Sequence, residues 1–392
     1  MNVSASERLA KLGAYAFAEV DNLVGDLKAQ GIEPIDFGVG DPTVPTPQFI
    51  RRACKRALDA RASSGYPSYI GDSGFREAAA TWLERRFSVR LDPATEISST
   101  IGSKEAVFNF PEAFVNPGDY VIIPSPGYPP YKTGTLFAEG VPYYVPLVQE
   151  SDFLPDLSSV PPDIANKAKI VWVNYPNSPT GKIATDEFYR ELIEFAQRYG
   201  IIIASDEAYS EIYFEKKPRS LLEFSKEGVI AFFSLSKRSA MTGWRVGWVA
   251  GDRAIVEVFR KTKTHIDSGT PTFIQDAGAE ALGDERHVAR MRSEYERKRD
   301  IIVGALVDAG LPECYPEATI YVWQKGPDGM SGVDLAKRLL DKEAAIVTTP
   351  GEWLSERTAS GVNPGQGYVR FALVPSIEQT KLAAERLATV RL

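Results

Sequence analysis

Cysteine and histidine are scarce in this 392-residue sequence, which has only two of each. Cys54 and Cys314 lie far apart, which excludes a disulfide framework and a cysteine-rich metal site and is typical of the reducing cytoplasm. His265 and His287 are too few for a histidine-rich zinc site. We therefore predict no metal centre. Acid–base or nucleophilic chemistry rests on one of these histidines or, as the residue counts favour, on Lys, Tyr, Asp, Glu or a cofactor.

Several other sequence features are missing. No apolar run reaches the length of a membrane span, and the charged segment 1–11 lacks the apolar stretch of a secretory signal. No Walker loop and no G-x-G-x-x-G motif is present, which removes the main support for nucleotide or dinucleotide binding. The net charge of −7 gives no reason to expect nucleic acid. We expect a cytoplasmic protein without a membrane or nucleic-acid partner.

Short apolar runs predict strands that are covered on both faces. They comprise residues 120–123, 170–173, 201–204 and 229–233. A helix bounded by Thr185 and Gly200 is predicted between the second and third runs. Because strands alternate with helices, we predict an α/β fold with a mostly parallel sheet. Near the start of this region, Thr46 is predicted to cap a helix that begins at Pro47.

The pattern changes after about Gly283 to a long, heavily charged helix with an apolar stripe, followed by short strand-like pieces. His287 lies on this helix, and we expect it at the solvated surface. The change predicts a second, smaller domain. We therefore divide the chain into an N-terminal arm with part of the small domain at residues 1–45, a large domain at 46–285 and a small C-terminal domain at 286–392.

A polar segment directly follows the predicted strand 229–233, at the sheet edge where open α/β folds place their ligands. Its hydroxyl and guanidinium groups, from Ser234, Ser236 and Arg245, suit a phosphate. Lys237 in the same segment can form an imine with a carbonyl-bearing cofactor, provided that its pKa is lowered. Taken alone, the segment is more simply interpreted as a solvated surface loop.

Three further segments support the ligand-binding interpretation. Asp206 ends another buried strand, where a carboxylate can pair with a protonated pyridine nitrogen. The turn-rich segment 174–181 offers amide and hydroxyl donors at a third strand end. Gly102 and Ser103 open a helix whose N-terminal N–H groups can bind a phosphate. Each segment alone is compatible with an ordinary turn, but their combination favours a shared ligand site.

Together these segments resemble the fold-type I pyridoxal-phosphate (PLP) aminotransferases of class I and II. The resemblance covers nearly the whole chain. Its ordered motifs are Phe-Gly-Val-Gly-Asp at 37–41, Tyr-Pro-Asn-Ser-Pro-Thr-Gly at 175–181, Ser-Leu-Ser-Lys at 234–237 and Tyr-Val-Arg-Phe-Ala-Leu at 368–373. The resemblance implies a large domain with a mostly parallel central sheet, a smaller α/β domain, PLP as cofactor, and amino-group transfer between an amino acid and a 2-oxo acid.

The resemblance also implies a role for individual residues. Lys237 matches the Schiff-base lysine, which also carries the proton between substrate and cofactor. The positions that match the phosphate site are Ser103, Lys104, Ser234, Ser236 and Arg245. Four more positions match residues around the PLP ring. Asp206 matches the carboxylate that pairs with the pyridinium nitrogen, and Tyr209 and Asn177 match the groups that hydrogen-bond the ring oxygen. Tyr128 matches the aromatic residue that stacks on the ring.

Other matches concern the substrate and a second subunit. Arg370 matches the arginine that binds the substrate α-carboxylate, and Tyr15 and Gly40 match substrate-contacting positions. Tyr66 matches the tyrosine that reaches the phosphate of the neighbouring subunit. The resemblance therefore implies a homodimer.

Two positions depart from the family pattern. Ser178 stands directly before Pro-Thr-Gly, where many relatives have Asn, so Ser178 is an alternative to Asn177 for the ring oxygen. His265 stands where similar enzymes often have Asn near the cofactor, which leaves the substrate specificity open.

Within the family, segments 65–69 and 102–105 resemble LL-diaminopimelate aminotransferases and the prokaryotic aspartate aminotransferases near them. Segment 361–368 is similar instead to N-succinyl-diaminopimelate aminotransferases. The leading hypothesis is an LL-2,6-diaminopimelate aminotransferase of lysine biosynthesis that uses 2-oxoglutarate or glutamate. Aspartate, aromatic or N-succinyl-diaminopimelate aminotransferases remain alternatives, as does a PLP-dependent C–S β-lyase, which shares the Lys, Asp and Arg set.

Overall fold

The computed structural model describes residues 3–10, 12, 18–42 and 44–390. Its strands are β1 (Ile35–Asp36), β2 (Ile97–Thr100), β3 (Tyr120–Ser125), β4 (Val141–Pro146), β5 (Ala168–Asn174), β6 (Ile202–Asp206), β7 (Val229–Ser234), β8 (Gly247–Gly251), β9 (Tyr321–Lys325), β10 (Ile346–Val347), β11 (Thr349–Pro350) and β12 (Tyr368–Ala372).

Helices lie between most of these strands. They are α1 (Glu7–Ala10), α2 (Ala18–Ala29), α3 (Gln48–Ala60), α4 (Ser73–Phe87), α5 (Gly102–Phe114), α6 (Pro129–Phe137), α7 (Pro162–Ala165), α8 (Asp186–Tyr199), α9 (Leu235–Arg238), α10 (Arg253–Lys263), α11 (Thr272–Leu282), α12 (Arg286–Asp308), α13 (Gly332–Leu340) and α14 (Ile377–Leu387). None of the helices in the described ranges is long and apolar enough to cross a membrane.

A seven-stranded sheet with the order β2-β8-β7-β6-β5-β3-β4 forms the larger part of the fold. Strands β4, β3, β5, β6 and β7 run parallel, whereas β8 is antiparallel to both of its neighbours. The four apolar runs of the sequence form β3, β5, β6 and β7. The predicted α/β class with a mostly parallel sheet is therefore confirmed.

Both faces of this sheet are covered by apolar side chains, as the unbroken apolar runs predict. Phe233 packs with Trp82 and Trp248 on one face, whereas its neighbour Phe232 packs with Phe110 and Trp172 on the other. Successive residues of a strand point to opposite faces, so both need an apolar environment here. Because both faces of the sheet are covered, polar groups can reach solvent at the carboxyl ends of the strands.

Two helix starts illustrate which local signals hold. The Thr185 side chain accepts a hydrogen bond from the N–H of Phe188, so the predicted cap of α8 is confirmed. The predicted cap by Thr46 is wrong, because α3 begins at Gln48 without a side-chain cap. The Thr46 hydroxyl instead donates to the carbonyl of Ala240 at 2.5 Å. A tertiary contact with the segment after α9 thus replaces the local one.

The C-terminal part carries a three-stranded antiparallel sheet, β11-β12-β9, and β1 pairs in parallel with β10 from the same region. The domain limits at 45/46 and 285/286 stay a prediction, which the pairing of β1 with β10 supports. The predicted surface position of His287 is wrong. Its side chain is 2% exposed, and Nε2 lies 2.9 Å from the hydroxyl of Ser239, so this residue joins α12 to the end of α9.

Candidate active site

A cleft of about 760 Å³ lies where the carboxyl ends of β5, β6 and β7 meet the N-terminus of α5 and the strands β9 and β12. Parallel strands place the residues that follow them at one edge of the sheet. The predicted site residues that line the cleft are Gly40, Ser103, Lys104, Tyr128, Asp206, Tyr209, Ser234, Ser236, Lys237, Arg245 and Arg370.

Lys237 belongs to this set and lies on the short helix α9, which follows β7 directly. Its Nζ donates a hydrogen bond to the carbonyl oxygen of Gly40 at 2.5 Å. Burial lowers the pKa of Lys237, and the positive charges of Arg370 and Arg245 lower it further, against the opposing effects of Tyr321 and Asp41. A lowered pKa favours the neutral amine, which is the nucleophilic form of lysine.

One end of the cleft is arranged to bind an anion. The Arg245 guanidinium donates from Nη1 to the carbonyl of Thr242 at 2.8 Å and lies beside the N-terminus of α5. Gly102 permits this approach, because a Cβ at that position would overlap the guanidinium. The hydroxyl residues Ser103, Ser234 and Ser236 line the same cleft. Hydroxyls, a guanidinium and a helix N-terminus are the donors that phosphate prefers.

Asp206 provides a buried carboxylate at the end of β6. Oδ2 accepts a 2.8 Å hydrogen bond from the Tyr131 hydroxyl, and Oδ1 accepts one from the N–H of Ala208 at 3.2 Å. Burial raises the pKa of Asp206 to about 6, although both hydrogen bonds act to lower it. A buried carboxylate with a raised pKa is ionised most readily when a cation lies next to it. The protonated nitrogen of a pyridine ring is such a cation.

The segment between β5 and α8 brings Ser178, not Asn177, to the cleft. The Asn177 side chain is buried within its own loop, where Oδ1 accepts hydrogen bonds from the N–H and the hydroxyl of Thr180 at 3.1 and 2.8 Å. Its Nδ2 donates to the carbonyl of Asn174 at 3.1 Å. The structure therefore disagrees with the prediction that Asn177 contacts a ring oxygen, because this amide already stabilises the turn.

Arg370 enters the cleft from β12. Its Nη2 donates to the carbonyl of Gly38 at 2.9 Å, and within the described part of the chain its buried Nε has no hydrogen-bond partner. The guanidinium carbon lies 4.5 Å above the ring of Tyr321. A guanidinium that lines the cleft and is supported on one face by an aromatic ring is suited to bind a carboxylate.

Three predicted positions need separate comment. The Tyr128 ring lines the cleft and makes an edge contact with Tyr131, with centroids 5.7 Å apart. Tyr66 does not line it and is 95% exposed on the surface. Tyr15 lies outside the described residues.

Two cleft-associated tyrosines were missed by sequence reasoning. Tyr131 holds Asp206 and stacks on Trp172, and its only signal is a place in the Pro-Gly-Tyr-Pro-Pro-Tyr segment with Tyr128. Tyr321 belongs to β9, and its hydroxyl lies 3.0 Å from that of Tyr209. The apolar pattern of β9 gives no sign of this polar contact, since Tyr321 reads there as one more buried residue.

Comparison with known proteins addresses the family directly. The profile of the family described as aminotransferase class I and II matches residues 32–387. The chain belongs to this family. An LL-diaminopimelate aminotransferase from Aquifex aeolicus is 46% identical over 391 residues, covering 99% of each chain, and one from Halothermothrix orenii is 43% identical over 97% of each.

Solved structures of aminotransferases have the same fold. An aminotransferase from Neisseria meningitidis superimposes with a TM-score of 0.91 at 33% identity, covering 98% of this chain and 100% of that one. A mutant aspartate aminotransferase from Thermus thermophilus gives a TM-score of 0.89 at 29% identity over 99% of each chain. The protein is a PLP-dependent aminotransferase of fold type I, as the sequence motifs predict.

The cleft fits this cofactor. Its anion-binding end has the donors that a phosphate needs, and the space that Gly102 leaves open is filled by Arg245. Asp206 adds a buried carboxylate to the same cleft, a group that suits a protonated pyridine nitrogen. Lys237 lies with them in the same cleft, with a lowered pKa that suits attachment to an aldehyde carbon.

Proposed function

We propose that this aminotransferase moves an amino group between LL-2,6-diaminopimelate and a 2-oxo acid such as 2-oxoglutarate. The observation that supports this substrate is the near-full-length similarity to enzymes that bear the name LL-diaminopimelate aminotransferase. Small-molecule amino and 2-oxo acids are thus the partners of the cleft.

We assign the phosphate of PLP to the end of the cleft at α5. Ser103, Lys104 and the hydroxyls of Ser234 and Ser236 would hold it together with Arg245. This assignment is supported by their common position in the cleft and by the guanidinium beside Gly102.

The ring is assigned to the space between Asp206, Tyr209 and Tyr128. Asp206 would hold a proton at the pyridine nitrogen, since its buried carboxylate is stabilised by a neighbouring cation. Bound there, PLP supplies an electron sink for the substrate carbon that loses its proton. The Tyr209 hydroxyl is assigned to the ring oxygen, and Ser178, which lines the same cleft, is a further donor for it.

Lys237 and Arg370 are assigned to the reacting end. The neutral amine of Lys237 would take the proton from the substrate carbon and return it to the cofactor carbon, which its lowered pKa favours. Arg370 would bind the α-carboxylate, with Gly40 next to it and Tyr15 as a further substrate contact. Fixing the carboxylate decides which bond of the substrate carbon faces the ring.

A homodimer completes the proposed site. Tyr66 is 95% exposed in the single chain, and Tyr69 and Ile266 add 41% and 43% exposed apolar side chains on the surface. The backbones of residues 68–69 and 269 lie in close contact, so the three exposed side chains belong to neighbouring loops. A second copy would cover these loops and receive Tyr66 at its phosphate. We also predict a cytoplasmic location, in keeping with the free cysteines Cys54 and Cys314.

The substrate proposal is tested with the PLP-loaded enzyme, LL-2,6-diaminopimelate and 2-oxoglutarate by measuring glutamate. We expect glutamate to form faster than with aspartate, phenylalanine or N-succinyl-diaminopimelate. The variant Arg370→Lys tests the proposed carboxylate contact. It keeps the positive charge but loses the bidentate guanidinium fork, and we expect it to raise KM at least tenfold. Faster turnover of another amino donor would show that LL-2,6-diaminopimelate is not the preferred substrate. Pyruvate and ammonia from cystathionine without any oxo acid would favour the C–S β-lyase alternative.

A further inference from the structure

Two hydroxyl groups meet at Tyr321, in the cleft to which β9 and β12 contribute. The Tyr321 and Tyr209 hydroxyls lie 3.0 Å apart, and Ser178 lines the same cleft. Tyr321 is 4% exposed. The hydroxyl of a residue in β9 thus contacts a residue from the loop that follows β6.

The aromatic ring of Tyr321 packs against the guanidinium of Arg370. The guanidinium carbon lies 4.5 Å above the ring centroid, a distance typical of a cation–π contact. One face of Tyr321 therefore supports the arginine assigned to the substrate carboxylate, while its hydroxyl contacts the tyrosine assigned to the ring oxygen. The two assignments meet in one side chain.

Gly40 provides the space for this arrangement. A Cβ at Gly40 would overlap the Tyr321 hydroxyl, and the Gly40 carbonyl accepts the hydrogen bond from Lys237. The absence of a side chain at residue 40 thus lets Tyr321 pack against the backbone that also holds Lys237.

The charges around the two phenols indicate which hydroxyl donates. Burial raises the pKa of Tyr321, but the positive charges of Arg370 and Lys237 outweigh it and leave that pKa below its usual value. Burial and the neighbouring Tyr321 raise the pKa of Tyr209 well above its usual value. As part of the proposal below, we take Tyr209 as the donor and Tyr321 as the acceptor of the 3.0 Å hydrogen bond between them.

We propose that Tyr321 is a positioning residue that holds the Tyr209 hydroxyl and the Arg370 guanidinium in place at opposite ends of the reacting centre. The proposal rests on the roles proposed above for Tyr209 and Arg370. The Tyr321 hydroxyl competes with the ring oxygen of PLP for the hydroxyl proton of Tyr209. The Tyr321 ring supports the Arg370 guanidinium from one face. Removing the hydroxyl and removing the ring should therefore have different consequences.

Two variants separate the hydroxyl from the ring. Tyr321→Phe keeps the support beneath Arg370 but frees the Tyr209 proton for the ring oxygen. An oxygen that receives this proton holds less negative charge and retains the neighbouring proton at Lys237 less firmly. We expect the pH midpoint of the visible absorbance change of the PLP-loaded enzyme to fall by at least about half a unit, with KM for the amino acid within about twofold of wild type.

Tyr321→Leu removes the ring as well. We expect the same fall in the midpoint and, in addition, a roughly tenfold rise in the Kd of a carboxylate analogue without an amino group, because the cation–π support of Arg370 is lost. Pimelate is the probe, and the change of visible absorbance is the signal. The amino acid for KM is whichever donor the wild type uses, so failure of the diaminopimelate proposal leaves this test intact.

Two further variants exclude trivial explanations. Gly40→Ala displaces the Tyr321 hydroxyl without deleting it and should lower the midpoint as Tyr321→Phe does. Tyr315→Phe removes an exposed hydroxyl that hydrogen-bonds to Asp300, and it should leave the midpoint unchanged. Folded Tyr321 variants, with wild-type midpoint and wild-type affinity for pimelate, would overturn the proposal. If neither Tyr321 variant folds, a wild-type pH midpoint in Gly40→Ala would overturn the proposal.

Discussion

The Tyr131 hydroxyl donates a 2.8 Å hydrogen bond to Oδ2 of Asp206, and both residues are buried, with Asp206 lining the cleft and Tyr131 behind it. The Tyr131 ring stacks on Trp172 with centroids 4.7 Å apart, which fixes the direction of the hydroxyl. The hydrogen bond favours the ionised carboxylate, whereas burial opposes it and raises the pKa to about 6. Asp206 is thus held ready for a cation by a residue that does not itself line the cleft.

Removal of this hydroxyl should therefore change the pH dependence of turnover. In Tyr131→Phe the Asp206 carboxylate loses a donor, so its pKa rises further. We expect the acid limb of kcat/KM to move upward by roughly half to one pH unit. Tyr175→Phe is the matched control, because this buried hydroxyl donates to the carbonyl of Phe153 instead. Superimposable profiles for Tyr131→Phe and wild type would contradict the role of this hydrogen bond.

Gly102 offers a test of the phosphate end. A Cβ at this position would overlap the Arg245 guanidinium, and φ is +69°. We expect Gly102→Ala to raise the Kd for PLP by roughly tenfold or more, measured by fluorescence titration of the cofactor-free enzyme. Gly228→Ala is the matched control, since φ there is +70° and, among the described residues other than its chain neighbours, none has an atom within 4 Å of a Cβ at that position. Equal Kd values for PLP in the two variants would contradict the assignment of Arg245 to the phosphate site.

How much of this site is readable from the sequence depends on the distance over which each contact forms. Lys237 and Arg245 follow a buried strand within one short segment, so the pattern places both at the sheet edge. Asn177 and Ser178 are adjacent, and only the fold shows that the Asn177 amide is used by its own turn. Tyr321 reaches Tyr209 across a chain separation of 112 residues, which no local pattern reports.

The long helix α12 illustrates the same limit. Its many charges predict a solvated surface, yet His287 is buried against Phe49 and Ser239. The nearby Arg238 is also buried and pairs with Glu285 at 2.6 Å. Charged residues that pair with one another read as surface in a sequence, although here they pack behind the segment that carries Lys237.

The buried histidine predicts a dependence of stability on pH. Burial, aided by the charge of Arg238, lowers the pKa of His287 to about 4, whereas an unfolded histidine has a pKa of about 6.5. Below pH 6.5 the unfolded chain binds a proton that the folded chain does not, so stability falls between about pH 6.5 and 4.

His287→Gln keeps a polar partner for Ser239 but cannot be protonated. We expect the variant to lose less Tm than the wild type between pH 7 and pH 4.5. His265→Gln, on the exposed segment after α10, should follow the wild-type curve. If the curve of His287→Gln runs parallel to that of the wild type, protonation of this histidine does not contribute to acid unfolding.

Subunit mixing tests the shared site. In a hybrid of Lys237→Ala with Tyr66→Ala, one site combines Lys237 from one subunit with Tyr66 from the other. Mixing equal amounts should restore about a quarter of the wild-type activity, because half of the dimers carry one intact site of two. The assay is run at limiting PLP, where loss of Tyr66 matters most. No gain above the unmixed variants after confirmed subunit exchange would show that Tyr66 acts within its own chain or not at all.

The half-reaction of the PLP-loaded enzyme tests the central claim most directly, since it needs no second substrate. Excess LL-2,6-diaminopimelate, aspartate or phenylalanine is added, and the visible absorbance of the cofactor is followed in time. The proposed function predicts that LL-2,6-diaminopimelate removes this absorbance fastest, and that Lys237→Ala has neither the absorbance nor the reaction while its far-ultraviolet circular dichroism is unchanged. Faster loss with aspartate or phenylalanine, or full reaction of Lys237→Ala, would contradict it.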